Sequence, residues 1–285
     1  MRDLLVAFIV FGSLPFILKR PFLGILMLAG LGYMNPHRLC YTFMFSMPVV
    51  QIVAIVTLIG MLASKEVKRM VWSREIWVLL IFVAWMGLTT TQAFYFDLAI
   101  EQFEKVVKIQ ILTFMTLLML TSRDRVHIFI WVIVLSLGFY GVKGGIFTIL
   151  HGGAHRVYGP EGSFFGDNNE TGLALAMTVP LMYYLYRTST HRFVRWGLIA
   201  AMMLTALAAF GTHSRGALLA MGAMGAMLWW KSRQKFLMAV LVVAGTFMVF
   251  MFMPPEWFDR MATIKSYEED RSAMERIYAW TFAYR

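Results

Sequence analysis

Charge is what this sequence has least of. Of its 285 residues only 15% are Asp, Glu, Lys or Arg, while 59% are hydrophobic, and the mean hydropathy is +0.66. Soluble globular chains carry roughly a quarter charged residues. A soluble helical bundle would need a charged face on every helix, and those faces are missing. Cysteine is almost absent: with Cys40 alone, an intrachain disulfide and a thiolate metal site are both excluded. Acidic residues are scarce as well, 16 against 26 Lys and Arg, for a net charge of +10. Nucleic-acid binding would use such an excess as a continuous exposed patch. Here the basic residues form short clusters between apolar runs, so no nucleic-acid partner is expected. There is no P-loop, no dinucleotide fingerprint and no Ser-His-Asp arrangement at a recognisable spacing. Tyr267-Glu268-Glu269-Asp270 reads as a solvated acidic face, and no metal or cofactor is expected. Leu14-Pro15-Phe16 offers no small-x-small cleavage pattern, so the apolar N-terminus reads as a first span and not as a removed signal.

What is present is a series of apolar runs of the length a bilayer demands, about 20 residues for a helix. In hydrocarbon the backbone must satisfy itself, so such runs are helices. The spans expected are 4–18, 22–36, 43–63, 76–96, 105–120, 126–150, 171–186, 196–212, 216–230 and 236–253, the first two short enough to be a re-entrant pair. The fold class expected is an all-α polytopic membrane protein of about ten transmembrane helices. One set of alternate loops holds Lys19, Arg20, Lys65, Lys68, Arg69, Arg74, Arg123, Arg125, Arg187, Arg192, Arg195, Lys231, Arg233 and Lys235. The opposite set holds Arg2, Arg38, Lys105, Lys108, Lys143, Arg156 and Arg215. The positive-inside rule puts the richer set in the cytoplasm and both chain ends outside.

Three outer segments then stand out. Residues 97–108 read either as an interfacial amphipathic stretch or as the start of the next span. Residues 151–170 form a Gly-rich polar loop with His155, Arg156, Asp167, Asn168 and Asn169. Residues 254–285 open with Pro254-Pro255, which ends the preceding helix. There Ser272-Ala273-Met274-Glu275 reads as a capping box for a helix whose apolar side is Met274, Ile277 and Trp280 or Phe282. No stop signal follows it, so a longer natural chain is expected.

Between Arg195 and Lys231 each crossing has about 18 residues, or about 27 Å. The turn Thr212-His213-Ser214-Arg215-Gly216 therefore sits at the membrane boundary. An arginine there is costly without a partner, which makes function the default reading; snorkelling to lipid phosphates is the alternative. Lys143, in Tyr140-Gly141-Val142-Lys143-Gly144-Gly145, admits the same two readings. Arg156 suits bidentate contacts to phosphate oxygens. Asn168 and Asn169 suit either a glycan or phosphate oxygen or a helix cap. Arg276 in the tail reads by itself as a solvated face. Taken together, these cations at headgroup depth suit a polyanionic headgroup on a lipid tail.

The pattern Arg156…Gly162-Ser163-Phe164-Phe165-Gly166-Asp167-Asn168-Asn169…Pro180, followed by Thr212-His213-Ser214-Arg215-Gly216, resembles the O-antigen ligase and O-antigen polymerase superfamily. Leu14–Pro21 and Gly32–Arg38 are most similar to the O-glycosylation ligases associated with exosortase A systems. The resemblance implies a C-type glycosyltransferase-like bundle in the bacterial inner membrane, active on the periplasmic face without a metal. Its partners would be an undecaprenyl-pyrophosphate-linked glycan donor, a glycan acceptor (a protein side chain or a lipid or sugar hydroxyl) and the bilayer. It divides the chain into an N-terminal transmembrane region (1–120), a ligase-like core (121–253) and the start of a large periplasmic loop (254–285). Arg215, and after it Arg276, match the arginines that hold the pyrophosphate; Arg156 and Lys143 would join them. Asn169, Asn168, Ser214 and His213 would position the loop or the glycan. The family's acceptor-activating histidine is expected beyond Arg285, so a chain ending there is expected to bind donor and to transfer poorly. A polymerase of the same superfamily and a lipid-linked sugar transporter or flippase remain as alternatives.

Overall fold

The structure is a computed structural model. It describes all residues except 1, 71, 232–234, 237–242, 244, 246, 248, 250, 252, 263–270 and 285, and it leaves out the side chains of 271–273. The described residues are helical, with no strand among them. In order they form α1 (Arg2–Lys19), α2 (Pro21–Met34), a short 3-10 turn (Pro36–Leu39), α3 (Phe43–Ser46), α4 (Val49–Ala63), α5 (Arg74–Thr91) and α6 (Phe96–Met119). There follow α7 (Arg123–Leu150), α8 (Asn168–Thr188), α9 (Arg192–Gly211), α10 (Arg215–Lys231), a short helix Pro255–Ala262 and a terminal helix Arg271–Tyr284. Contacts divide the chain into two compact units, residues 1–132 and 133–285.

In the first unit α4 packs on α1 and α2, α2 on α6, and α5 on α6. The core is aliphatic: Val10, Ile17, Leu28, Leu31, Met44, Val49 and Val53, with Ile25, Met61, Met115 and Met119 beside it. Asp3 at the start of α1 accepts the backbone N–H groups of Thr42 and Met44, at 3.2 and 3.4 Å, and ties the 35–48 segment to α1. The expected span 43–63 is not one helix. Pro48 has no N–H to donate, and α3 stops at Ser46 before α4 starts at Val49. The 97–108 stretch belongs to the continuous helix α6, so α5 ends at Thr91 and α6 starts at Phe96, earlier than the expected 105.

Among the described residues three helices are long and apolar enough to cross a membrane, α5, α7 and α9; α2 and α4 are apolar but shorter. Several others fall short for visible reasons. Arg2, Asp3 and Lys19 all lie within α1, and α10 has 17 residues. Even the last 18 residues of α6 hold Glu104, Lys105 and Lys108. The exterior agrees with a bilayer environment. On α5, Trp77, Val78, Ile81, Phe82, Trp85 and Leu88 are all more than half exposed, an apolar face that water alone would not tolerate.

In the second unit α8 and α9 make the most extensive pair, and α10 packs on both. Glycines permit the tightest approaches. A Cβ on Gly145 of α7 would run into the backbone carbonyl of Leu204 on α9, and one on Gly172 of α8 would meet Ala217 Cβ of α10 at 2.6 Å. The expected span 236–253 and the acidic 267–270 stretch fall largely or wholly outside the described residues.

Candidate functional site

α9 ends in a tight turn that immediately starts α10. Thr212 closes α9, and His213 takes the left-handed conformation with φ 55°. That region is uncommon outside glycine, though His, Asn and Asp tolerate it better than most. A left-handed residue just past a helix end turns the chain and stops the helix. Ser214 then caps α10: its Oγ accepts the N–H of Ala217 at 3.2 Å, satisfying a first-turn donor. Thr212, His213 and Ser214 are all buried. The turn is therefore an ordered structure and not a surface loop.

Three other segments grip it. From α8, Asn168 is buried and donates through Nδ2 to the Thr212 carbonyl at 2.9 Å. The Ser214 hydroxyl donates to Asn169 Oδ1 at 2.7 Å, so this one oxygen both caps α10 and ties it to α8. Asp167 caps α8, accepting from the backbone N–H of Asn169 and from its side-chain amide, each at 3.1 Å. From the 151–167 loop, the Gly153 carbonyl accepts from His213 Nε2 at 2.8 Å, and the Val157 N–H reaches the Gly211 carbonyl at 2.9 Å. The loop is anchored below by buried Phe165, which meets the Tyr140 ring edge-on and whose carbonyl accepts from Thr171 at 2.6 Å.

The third grip comes from the helix Pro255–Ala262. Pro255 starts it, as a proline without an N–H can at a first helical position. Trp257, Arg260 and Met261 then share one face by their spacing. Trp257 and Met261 are buried with Leu207, Val249 and Met253, and Trp257 Nε1 donates to the Phe210 carbonyl at 3.1 Å. Arg260 Nε donates to the His213 carbonyl at 3.0 Å, in the turn just past the end of α9. A cation there also complements the helix dipole.

The electrostatics of the turn follow. His213 is held below the usual imidazole value, mainly by burial; the Gly153 carbonyl works the other way, and the charges of Arg156 and Arg260 lower it further. A carbonyl only accepts, so Nε2 carries the proton and the ring is neutral near pH 7. Arg156 and Arg260 thus both bring positive charge to this turn. Arg215 is the first residue of α10 and half-buried. A cation at a helix N-terminus opposes the dipole, at a cost of about 0.3–1 kcal/mol, so helix stability does not explain its position. The same end of the helix favours anions. Next to it Gly216 is exposed, and a Cβ there would meet only Ser214 Oγ, at 3.7 Å.

The residues expected to act divide accordingly. His213, Ser214, Arg215, Asn168 and Asn169 lie at the turn, and Arg156 is near enough for its charge to be felt there. Lys143 is exposed on α7, on the face opposite Gly141, Gly144 and Gly145; those glycines serve the packing of α7 on α9. Arg276 is exposed on the terminal helix, and nothing among the described contacts joins it to the turn. The capping box at Ser272 lies where side chains are not described, although the helix it announces is present. Sequence reading missed Arg260. The available signal was Trp257-Phe258-Asp259-Arg260-Met261 after a proline pair, an apolar face with one arginine on it.

Two family models match the chain. One, a family of unknown function (DUF5935), covers residues 1–190; the other, O-antigen ligase, covers residues 198–285. No curated protein matches the chain, and no solved structure does. The first match ends in the short connection between α8 and α9 and the second starts within α9, whereas the hydrogen bonds Asn168–Thr212 and Ser214–Asn169 join one matched region to the other. The site therefore draws on both. The chain belongs to the DUF5935 family of unknown function, and its last third carries an O-antigen ligase domain.

Proposed function

We propose that this protein is a membrane glycan ligase that moves a glycan from undecaprenyl pyrophosphate to an acceptor hydroxyl, on the periplasmic face of the inner membrane, within a bundle of about ten spans. One observation carries the reading. A buried, fully bonded turn holds Arg215 against its own helix dipole, and Arg156 and Arg260 add positive charge to the same turn. In the transfer, the bond between the anomeric carbon and the pyrophosphate oxygen breaks, and a bond from that carbon to the acceptor oxygen forms. The departing pyrophosphate gains charge, and fixed guanidiniums stabilise it. The acceptor proton goes to a base. That role is not assigned to His213: its Nε2 proton is bonded to the Gly153 carbonyl, and the histidine that the resemblance assigns to the acceptor is expected beyond Arg285. Asn168, Asn169 and Ser214 act as positioning residues for the start of α10. Lys143 and Arg276 are exposed and would add their charges to the same pyrophosphate from α7 and the terminal helix.

The test is glycan transfer in proteoliposomes that contain undecaprenyl-pyrophosphate-linked glycan. Three acceptors are offered separately: a hydroxyl-bearing peptide, a lipid A core and a second lipid-linked glycan. Transfer to either of the first two, abolished by Arg215→Ala with insertion intact, supports the ligase. Elongation of the lipid-linked glycan alone would make it a polymerase. Donor flipping without transfer to any acceptor would replace the proposal with a transporter.

A further inference from the structure

A second cluster of cations lies in the first unit, and the proposed transfer makes no use of it. The link from α1 to α2, the segment after α4 and the start of α7 enclose a cleft of about 560 Å³, lined by Lys19, Arg20, Lys65, Glu66 and Arg125 with Phe22 and Leu23 on its apolar flank. Not all of these charges are available. Arg125 is committed: it forms a half-buried ion pair with Glu66, donates to the Met119 carbonyl at 2.9 Å and lies over the Phe22 ring at 4.8 Å. Glu66 is committed too, since its second oxygen accepts the Phe22 N–H at 3.3 Å. The segment carrying Lys65 is pinned on both sides. Lys68 folds back on the carbonyls of Met61 and Ser64, and the Arg69 N–H reaches the Leu118 carbonyl at 3.1 Å. Lys19, Arg20 and Lys65 are all exposed, and none of their side chains has a hydrogen-bond or ion-pair partner among the described residues.

The cleft therefore keeps three uncompensated cations around one opening, on a floor fixed by the Glu66–Arg125 pair and next to apolar side chains. Its volume is that of a small-molecule site. Basic pockets between membrane helices, with hydrocarbon at hand, suit the phosphates of anionic lipids. We propose that this cleft binds the phosphodiester headgroup of an anionic phospholipid, with Lys19, Arg20 and Lys65 around the phosphate oxygens and Phe22 and Leu23 against the first methylenes of the acyl chains. A soluble phosphate would find the charges but leave the apolar flank empty.

The experiment uses the whole chain in nanodiscs of phosphatidylethanolamine doped with phosphatidylglycerol or cardiolipin. Retained lipid is measured by native mass spectrometry, and affinity by titration of the doped lipid. The variant K19Q/R20Q/K65Q should bind the anionic lipids roughly a hundredfold more weakly, at about one order of magnitude for each one to two cations removed. The control R187Q/R192Q/K231Q removes equally exposed charge from the second unit and should bind as the parent does. The conservative K19R/K65R should also retain lipid. Equal losses in the triple variant and its control would reduce the effect to diffuse charge and overturn the site. No loss in K19Q/R20Q/K65Q would overturn it as well. Inorganic phosphate that displaces phosphatidylglycerol at matched concentration would overturn the lipid assignment in favour of a soluble anion. Thermal unfolding of each variant separates lost binding from lost fold.

Discussion

The two units have similar lengths but bury different things. In the first, the buried polar side chains are Asp3, Asn35, His37 and Thr57, scattered along the chain. In the second they are Ser136, Thr148, Asn168, Thr171, Thr178, Thr205, Thr212, His213 and Ser214, and those from 168 to 171 and 212 to 214 meet at one turn. Polar groups away from water must be bonded or they cost free energy, and a network is only as good as its least satisfied member. The first unit has few such side chains and relies on aliphatic packing, leaving His37 Nδ1, Ser64 Oγ and Gln110 Oε1 buried without a partner among the described residues. The second leaves Ser163 Oγ and Thr205 Oγ1 so, but at the turn it bonds segments far apart in sequence, which fixes the geometry of one short stretch of backbone. Packing alone holds helices together; a bonded polar turn also fixes the start of α10, with Arg215 as its first residue and Arg260 bonded to the His213 carbonyl.

This contrast can be tested by paired changes, one in each unit. The largest expected effect is on transfer. Arg215→Ala should lower it by about 10²–10³-fold, and Arg215→Lys should recover only part, because an ammonium lacks the planar fork. Its counterpart Lys105→Ala, an exposed cation on α6, should leave the rate of glycan transfer in proteoliposomes unchanged. A normal rate for Arg215→Ala would remove the second unit's claim to the chemistry. Next come the glycines. Gly145→Leu drives a side chain into the Leu204 carbonyl, and Gly60→Leu into the Ile17 carbonyl, where a Cβ already lies at 2.9 Å. Each should cost about 3 kcal/mol in thermal or denaturant unfolding, at the upper end for overpacking. Per folded molecule, only Gly145→Leu should also lose transfer, and equal losses would erase the distinction between the units.

Smaller effects sharpen the same point. Asn168→Ala strips the Thr212 carbonyl of its buried partner and should cost about 1–3 kcal/mol. Asp3→Asn weakens two bonds from the backbone N–H groups of Thr42 and Met44 and should cost about 1 kcal/mol. Transfer should fall with the first and not with the second. The smallest effect is the pH dependence of His213. Its folded value is below its unfolded value, so the unfolded chain binds the extra proton more readily. Stability is therefore full above the ordinary imidazole value and declines as pH falls below it, levelling off below the folded value. His213→Asn tolerates the left-handed backbone and can donate to Gly153 without titrating. Melting curves between pH 7.5 and 5.5 should flatten in that variant; the parent's slope persisting in it would place the titration elsewhere.

Much of this was legible in the sequence, and for a specific reason. Helix positions follow from local runs of apolar residues, so α7, α8, α9 and α10 lie within a few residues of the spans expected at 126–150, 171–186, 196–212 and 216–230. The Ser-Arg-Gly motif and the Asn-containing loop were visible as odd polar residues beside such runs. Where local signals competed, the reading slipped: Pro48 broke a run that hydropathy alone had joined, and charged residues at the start of α6 set the expected span nine residues late.

Composition and periodicity thus determined by themselves that the chain is helical, that it belongs in a membrane, and that its reactive-looking residues gather in a few short segments. Both signals are local, since they depend on neighbours within a turn or two. Only the tertiary structure decided which of those residues meet. Gly153 with His213, Asn168 with Thr212 and Trp257 with Phe210 are pairs separated by 60, 44 and 47 residues. Nothing in the intervening sequence encodes their distance. Helix packing does: the close approaches at Gly145 and Gly172 set where the helix ends fall. The packing of Trp257 and Met261 beside Leu207 and Phe210 brought Arg260 to the turn, and the packing of the α7 glycines on α9 left Lys143 on the exposed face of α7.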